Sequence, residues 1–205
     1  MQPNRIGRIG RRLALPLLLA LAILAGGPAA PSAAQSGFIN EVKLGALAHD
    51  IALFGPHVET GVDINAEILF APLPFGDPTA FRFPDFLLTP RPHIGASIST
   101  SGQTSIGYFG LTWTAGYAHN IFRDGDGIFG SFGAGGAVHN GDLNEDHNGQ
   151  KALGSRVLFH LSAELGYRFT PEASIAAYYE HVSNANLASP NPGMNNLGVR
   201  LGYRF

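Results

Sequence analysis

The chain has 205 residues, of which 45% are hydrophobic and only 14% charged, with 27 Gly, 14 Phe and no Cys. The absence of Cys excludes disulfide staples, thiol catalysis and Cys-based metal centres, and 13 basic against 15 acidic residues, a net charge of −2, argue against a nucleic-acid partner. The charged share is well below the ~25% of ordinary soluble domains, and a Gly- and Phe-rich, charge-poor composition suits a transmembrane β-barrel.

The first element is a leader. Arg5, Arg8, Arg11 and Arg12 form a basic start, Leu13 to Ala25 an apolar core, and Gly26, Gly27 and Pro28 end it before the small residues Ser32-Ala33-Ala34. An apolar core of about 13 residues is shorter than the roughly 20 that span a bilayer as a helix. Residues 1–34 are therefore expected to be a signal peptide cut after Ala34, leaving 35–205 as the mature domain.

Beyond the leader the apolar residues alternate. Val62, Ile64, Ala66, Ile68 and Phe70 are interleaved with Asp63, Asn65 and Glu67. Val157, Phe159, Leu161, Ala163, Leu165, Tyr167 and Phe169 are interleaved with His160, Ser162, Glu164 and Arg168. Leu197, Val199, Leu201, Tyr203 and Phe205 repeat the pattern with Asn196, Arg200 and Arg204. A period of two with one apolar face means strands with a different solvent on each side. Eight strands follow, at 41–50, 61–70, 92–99, 104–118, 127–138, 156–169, 173–184 and 195–205. A soluble sandwich gives the same alternation with its apolar face turned inward. Strand length, aromatics near strand ends and short turns alternating with longer loops favour an eight-stranded antiparallel transmembrane β-barrel instead. Phe205 on an amphipathic last strand also resembles the signal by which Gram-negative outer-membrane barrels reach their assembly machinery.

Eight strands leave an interior filled by side chains, so Glu67, His160, Glu164, Arg168, Glu180, Arg200 and Arg204 are expected to form a packed polar network. The Pro-rich 71–91 connection is expected to hold a short helix or a plug. His49, His57, His93, His119, His139 and His147 fall near strand ends or in loops, where solvated histidine is the ordinary case. The acidic turn from His139 to Asp146 lacks the oxygen spacing of a calcium loop. No Walker motif, GxSxG elbow or HExxH occurs, and neither a cofactor nor a metal is expected.

The seventh strand carries the chemistry. Ile175, Ala177, Tyr179, His181 and Ser183 share its apolar face, placing an imidazole and a hydroxyl side by side on the lipid side of its outer end. Polar groups there are costly and point to function. Residues i and i+2 of a strand lie roughly 6 to 7 Å apart, which two side chains can close to a hydrogen bond between a base and its nucleophile. Asn195 opens the eighth strand on the same face and can reach the far nitrogen of the imidazole, whereas Asn196 points inward.

His181-Val182-Ser183-Asn184-Ala185, followed by Asn191-Pro192-Gly193, resembles the lipid A 3-O-deacylases (PagL-like), eight-stranded outer-membrane barrels that remove an ester-linked hydroxyacyl chain from lipid A. Leu44 to Asp50, Gly133 to Gly141 and Gly198 to Phe205 also look like that family. The resemblance implies Ser183 as nucleophile, His181 as base, and an oxyanion hole from backbone N–H groups near Ala185 and Asn186, with Asn184 in support. It departs at the third member, where the family's acid is Glu and this chain has Asn195. Outer-membrane phospholipase A resembles the same segment, with His, Ser two residues on, and Asn. Three readings follow: a lipid A deacylase, a phospholipase A-type esterase with a Ser–His–Asn triad, or a non-catalytic lipid-binding barrel. The partners implied are lipid A or lipopolysaccharide of the outer leaflet and the barrel assembly machinery, with no nucleic acid; a homodimer is the alternative to a monomer.

Overall fold

The protein, a computed structural model, is described for residues 37–53, 55–73, 85–145 and 149–205. The leader at 1–34 and residues 74–84 of the Pro-rich connection lie outside the described residues. Eight antiparallel strands close into a barrel in sequence order: β1 (Ile39–Ala48), β2 (Val62–Phe70), β3 (Arg91–Ser99), β4 (Ile106–His119), β5 (Gly127–His139), β6 (Val157–Arg168), β7 (Ala173–Ser183) and β8 (Met194–Arg204). Pairing of β8 with β1, from Glu41↔Arg204 to Ala48↔Leu197, completes the cylinder and leaves no sheet edge.

The two faces of the wall are inverted relative to a soluble protein. Phe109, Phe132, Phe159, Leu165 and Val199 are each at least half exposed on the outside. Lys43, Glu67, His160, Glu164, Glu180 and Arg200 are buried inside. That distribution excludes the sandwich alternative, whose apolar face would be the covered one.

The interior network holds Glu67, His160, Glu164, Glu180 and Arg200 as expected, whereas Arg168 and Arg204 lie at its margin. Arg200 donates to Glu67 Oε2 at 2.7 Å and to Glu164 Oε2 at 2.6 Å, and its guanidinium lies 3.5 Å from the centroid of the Tyr178 ring. Lys43 adds a second cation to Glu164 at 2.7 Å. Nearer the loop end, Glu180 accepts from Ser97 Oγ at 2.6 Å and from Asn196 Nδ2 at 2.9 Å. Arg204 and Arg168 sit at the opposite mouth, Arg204 reaching Glu41 at 3.4 Å and Arg168 the Pro171 carbonyl at 3.3 Å.

In the 71–91 connection the chain forms a single helical turn, α1 (Asp85–Leu88). The indole Nε1 of Trp113 donates to the Leu87 carbonyl at 3.2 Å, and the indole stacks on Phe132 of the outer wall. The described end of this connection therefore rests outside the barrel, and the described residues form no plug.

The histidines require a correction. His49, His93 and His139 are buried rather than solvated. The described parts of four loops, 49–53 with 55–61, 100–105, 140–145 with 149–156, and 184–193, gather at one end, and His49 is the hub of their packing. Its Nδ1 faces Asp63 Oδ1 at 2.8 Å and its Nε2 faces Glu59 Oε2 at 2.8 Å, a pair of carboxylates that favours the imidazolium, in which both nitrogens donate. Glu59 also accepts from the Thr104 N–H, the Thr104 hydroxyl and the Lys151 N–H, and Lys151 Nζ donates to Asp50 at 2.5 Å. Partners 10 and 14 residues along the chain replace the water expected for a strand-end histidine, and Thr104, from another loop, holds one of them, Glu59.

Candidate active site

Successive outward residues of β7 and the facing residue of β8 make the site. β7 alternates without a bulge, so Tyr179, His181 and Ser183 all face outward while Tyr178, Glu180 and Val182 are buried inside. The β7–β8 register sets His181 opposite Asn195. His181 Nε2 is 3.1 Å from Ser183 Oγ, and Nδ1 is 2.8 Å from Asn195 Oδ1. Asn195 is fully buried even though it belongs to the outward face, and its backbone carbonyl accepts from the Ile51 N–H at 2.7 Å. With the Asn195 amide oxygen, which can only accept, towards Nδ1, the arrangement suits a proton on Nδ1 and turns the Nε2 lone pair to the Ser183 hydroxyl. A hydroxyl, a base and a group orienting the base are thus in hydrogen-bond contact in that order, the arrangement that can activate an oxygen nucleophile.

The 184–193 loop frames the hydroxyl. Ala185 and Asn186 both have positive φ, 52° and 63°. Among the described residues neither of their N–H groups donates to an acceptor, so both are available to an oxyanion. The Asn184 N–H is committed to Asn191 Oδ1 at 2.9 Å, and its side-chain amide ties the loop to the carbonyls of Leu153 and Pro190 at 2.9 Å each. Asn184 therefore braces the loop and offers no N–H to the site. Gly193, at φ 63°, passes close over the imidazole: a Cβ there would come within 2.9 Å of His181 Cε1.

The loop network reaches the site from inside the wall. Asn196 Oδ1 accepts from the Asp50 N–H at 2.9 Å, and Asn196 Nδ2 donates to Asp63 Oδ2 at 3.0 Å. Burial alone would lower the pKa of His49, but hydrogen bonds and charge from Asp63 and Glu59 raise it from 6.5 to about 9. Burial would raise Glu59, but the His49, Lys151 and Thr104 hydrogen bonds lower it from 4.5 to about 2. The His49 contribution to stability is thus complete below pH 6.5 and lost as pH rises through about 9. The Glu59 contribution is complete above pH 4.5 and lost as pH falls through about 2. The denaturant midpoint of the folded barrel is expected to fall on the alkaline side over that His49 range, and His49→Gln is expected to flatten the fall; a wild-type midpoint constant across it would show that His49 is not charged.

Further down the same wall, Ile128, Leu165, Tyr167, Ile175, Ala177 and Val199 border an apolar groove of about 410 Å³ over β5–β8. The sequence places the His–Ser pair on the outer face of β7. It does not single out Tyr179, whose hydroxyl donates to Asn195 Oδ1 at 2.6 Å, because that contact depends on the strand register.

A family model described as lipid A 3-O-deacylase (PagL) matches residues 88–204. A protein named lipid A deacylase PagL from Bordetella bronchiseptica is 36% identical over 55 residues, 27% of this chain, so the chain spans 31% of that relative's length. The crystal structure of the outer membrane enzyme PagL superposes with a TM-score of 0.56 at 17% identity, covering 82% of this chain and 99% of the other, a likeness of fold.

Proposed function

The chain belongs to the lipid A 3-O-deacylase (PagL) family, and from that premise we propose that it is an outer-membrane esterase that removes an ester-linked 3-hydroxyacyl chain from lipid A. The observation that carries the reading is the row Ser183–His181–Asn195, in hydrogen-bond contact on the outside of the wall at the loop end. Residues 1–34 are the leader and 35–205 the barrel. The four longer loops face outward, which brings Ser183 level with the sugar headgroup and its acyl esters.

In this reading Ser183 Oγ attacks the ester carbonyl while His181 Nε2 takes its proton. The N–H groups of Ala185 and Asn186 receive the developing oxyanion, each such donor contributing on the order of 3 kcal/mol. The imidazolium then protonates the departing sugar oxygen, leaving an acyl-Ser183, and water activated by His181 releases the 3-hydroxy fatty acid. Asn195 holds the Nδ1–H tautomer but, lacking charge, stabilises the imidazolium less than the family's Glu. The apolar groove on β5–β8 suits an acyl chain.

Asn195 also favours the phospholipase reading, so the test is competitive. Mass spectrometry of lipid A and phospholipid incubated together with the detergent-refolded barrel is expected to show lipid A losing one hydroxyacyl mass. Lysophospholipid with unchanged lipid A would replace the substrate class and keep the chemistry. If both lipids survive a folded barrel, the esterase reading fails.

A further inference from the structure

Tyr179, His181 and Ser183 form one outward row on β7, and the reaction above uses only the last two. An amide in the third position raises a question that a carboxylate does not. The two oxygens of a carboxylate are equivalent acceptors, whereas the two ends of an amide have opposite hydrogen-bonding sense. With its oxygen towards His181, Asn195 keeps the imidazole proton on Nδ1 and the Nε2 lone pair towards Ser183. Turned end for end, its NH2 would donate to Nδ1, drive the proton to Nε2 and abolish the base. The His–Asn pair alone does not choose between these states, since neutral imidazole can satisfy either.

We propose that Tyr179 makes the choice: its phenol donates to Asn195 Oδ1, holds the amide oxygen towards His181 and so keeps Nε2 basic, which makes Tyr179 a positioning residue of the site. The Tyr179 Oη to Asn195 Oδ1 distance is 2.6 Å, in the range of O–H···O bonds and short of the ~2.9–3.0 Å typical when an amide nitrogen donates. Both lone-pair directions of Oδ1 are then filled, by Tyr179 and by His181 Nδ1 at 2.8 Å. The other end of the amide has no competing hold, because Asn195 Nδ2 is buried with no hydrogen-bond partner among the described residues. The oxygen end alone fixes the orientation. Tyr179 faces Leu197 across the β7–β8 ladder, one outward position below the His181–Asn195 pair, so its ring reaches up the wall and no strand shift is needed.

The kinetic consequence rests on His181 and Ser183 acting as base and nucleophile; the tautomer does not, and the experiment separates the two. In detergent-refolded protein with 15N-labelled histidine, the His181 signals being assigned by their loss in His181→Gln, the ring is expected as the Nδ1–H tautomer. Tyr179→Phe, which deletes one hydroxyl and keeps the ring, is expected to shift His181 towards Nε2–H. It is also expected to lower kcat on lipid A by about 10- to 100-fold with KM unchanged. In an Asn195→Glu background, whose carboxylate has no orientation to set, the same Tyr179→Phe change is expected to cost about threefold or less. An unchanged tautomer in Tyr179→Phe overturns the proposal, and so does an equal loss in both backgrounds, which would reduce Tyr179 to packing. If the wild type hydrolyses neither lipid A nor phospholipid, the esterase reading falls while the tautomer still decides the role of Tyr179.

Discussion

Replacing Ser183 by alanine is expected to lower hydrolysis of the lipid A ester by about four orders of magnitude or more, with the barrel still folded. Residues of a nucleophile–base unit act together, and loss of the nucleophile alone removes nearly all that the unit supplies, leaving only binding and oxyanion stabilisation. The structural cost should be small. Ser183 is the last residue of β7, partly exposed on the outer wall, and its hydroxyl bonds to His181 Nε2. Mass spectrometry of lipid A after prolonged incubation gives the rate, and the heat-dependent gel mobility of the barrel reports folding. Undiminished hydrolysis by a folded Ser183→Ala variant would remove Ser183 from the chemistry.

The second large effect is on stability. Arg200→Met is expected to destabilise the barrel by about 3–5 kcal/mol, the scale on which a buried ion pair loses one partner. Arg200 is 2% exposed and bridges Glu67 and Glu164 across the lumen. Methionine fills much of the same volume but leaves Glu67 without its cation, while Glu164 keeps only Lys43. Urea unfolding in detergent micelles at neutral pH is the measurement, and adding Glu67→Gln to the Arg200→Met variant is expected to recover part of the loss. A double variant no more stable than the single would assign the cost to packing against Tyr178 rather than to charge.

The fold was legible wherever the two faces of a strand meet different solvents. β6, expected at 156–169, spans Val157–Arg168, and β8, expected at 195–205, spans Met194–Arg204, because each residue's neighbours there are set by parity alone. Parity also separated Asn195, on the outer face beside His181, from Asn196, which bonds Asp63 and Glu180 inside. What stayed hidden depends on contacts that parity does not encode. His49 reads as a solvated strand end because Glu59 reaches it only when separate loops fold together, with Thr104 holding Glu59 in place. Asn184 reads as a neighbour of the oxyanion hole, yet its N–H goes to Asn191 once the loop turns back. Tyr179 reads as one more wall aromatic until the β7–β8 register brings Asn195 within reach.

The place of the row on the outer wall has a further consequence. A site that opens sideways into a lipid layer meets its ester by lateral diffusion, so the concentration governing its rate is a mole fraction per unit of surface, not moles per litre. Inert amphiphile added at constant total lipid A dilutes that surface and slows turnover, and a Michaelis constant quoted in molar units shifts with the detergent chosen. In the proposed reaction the liberated acyl chain would enter the same layer and compete for the wall from which it was cut.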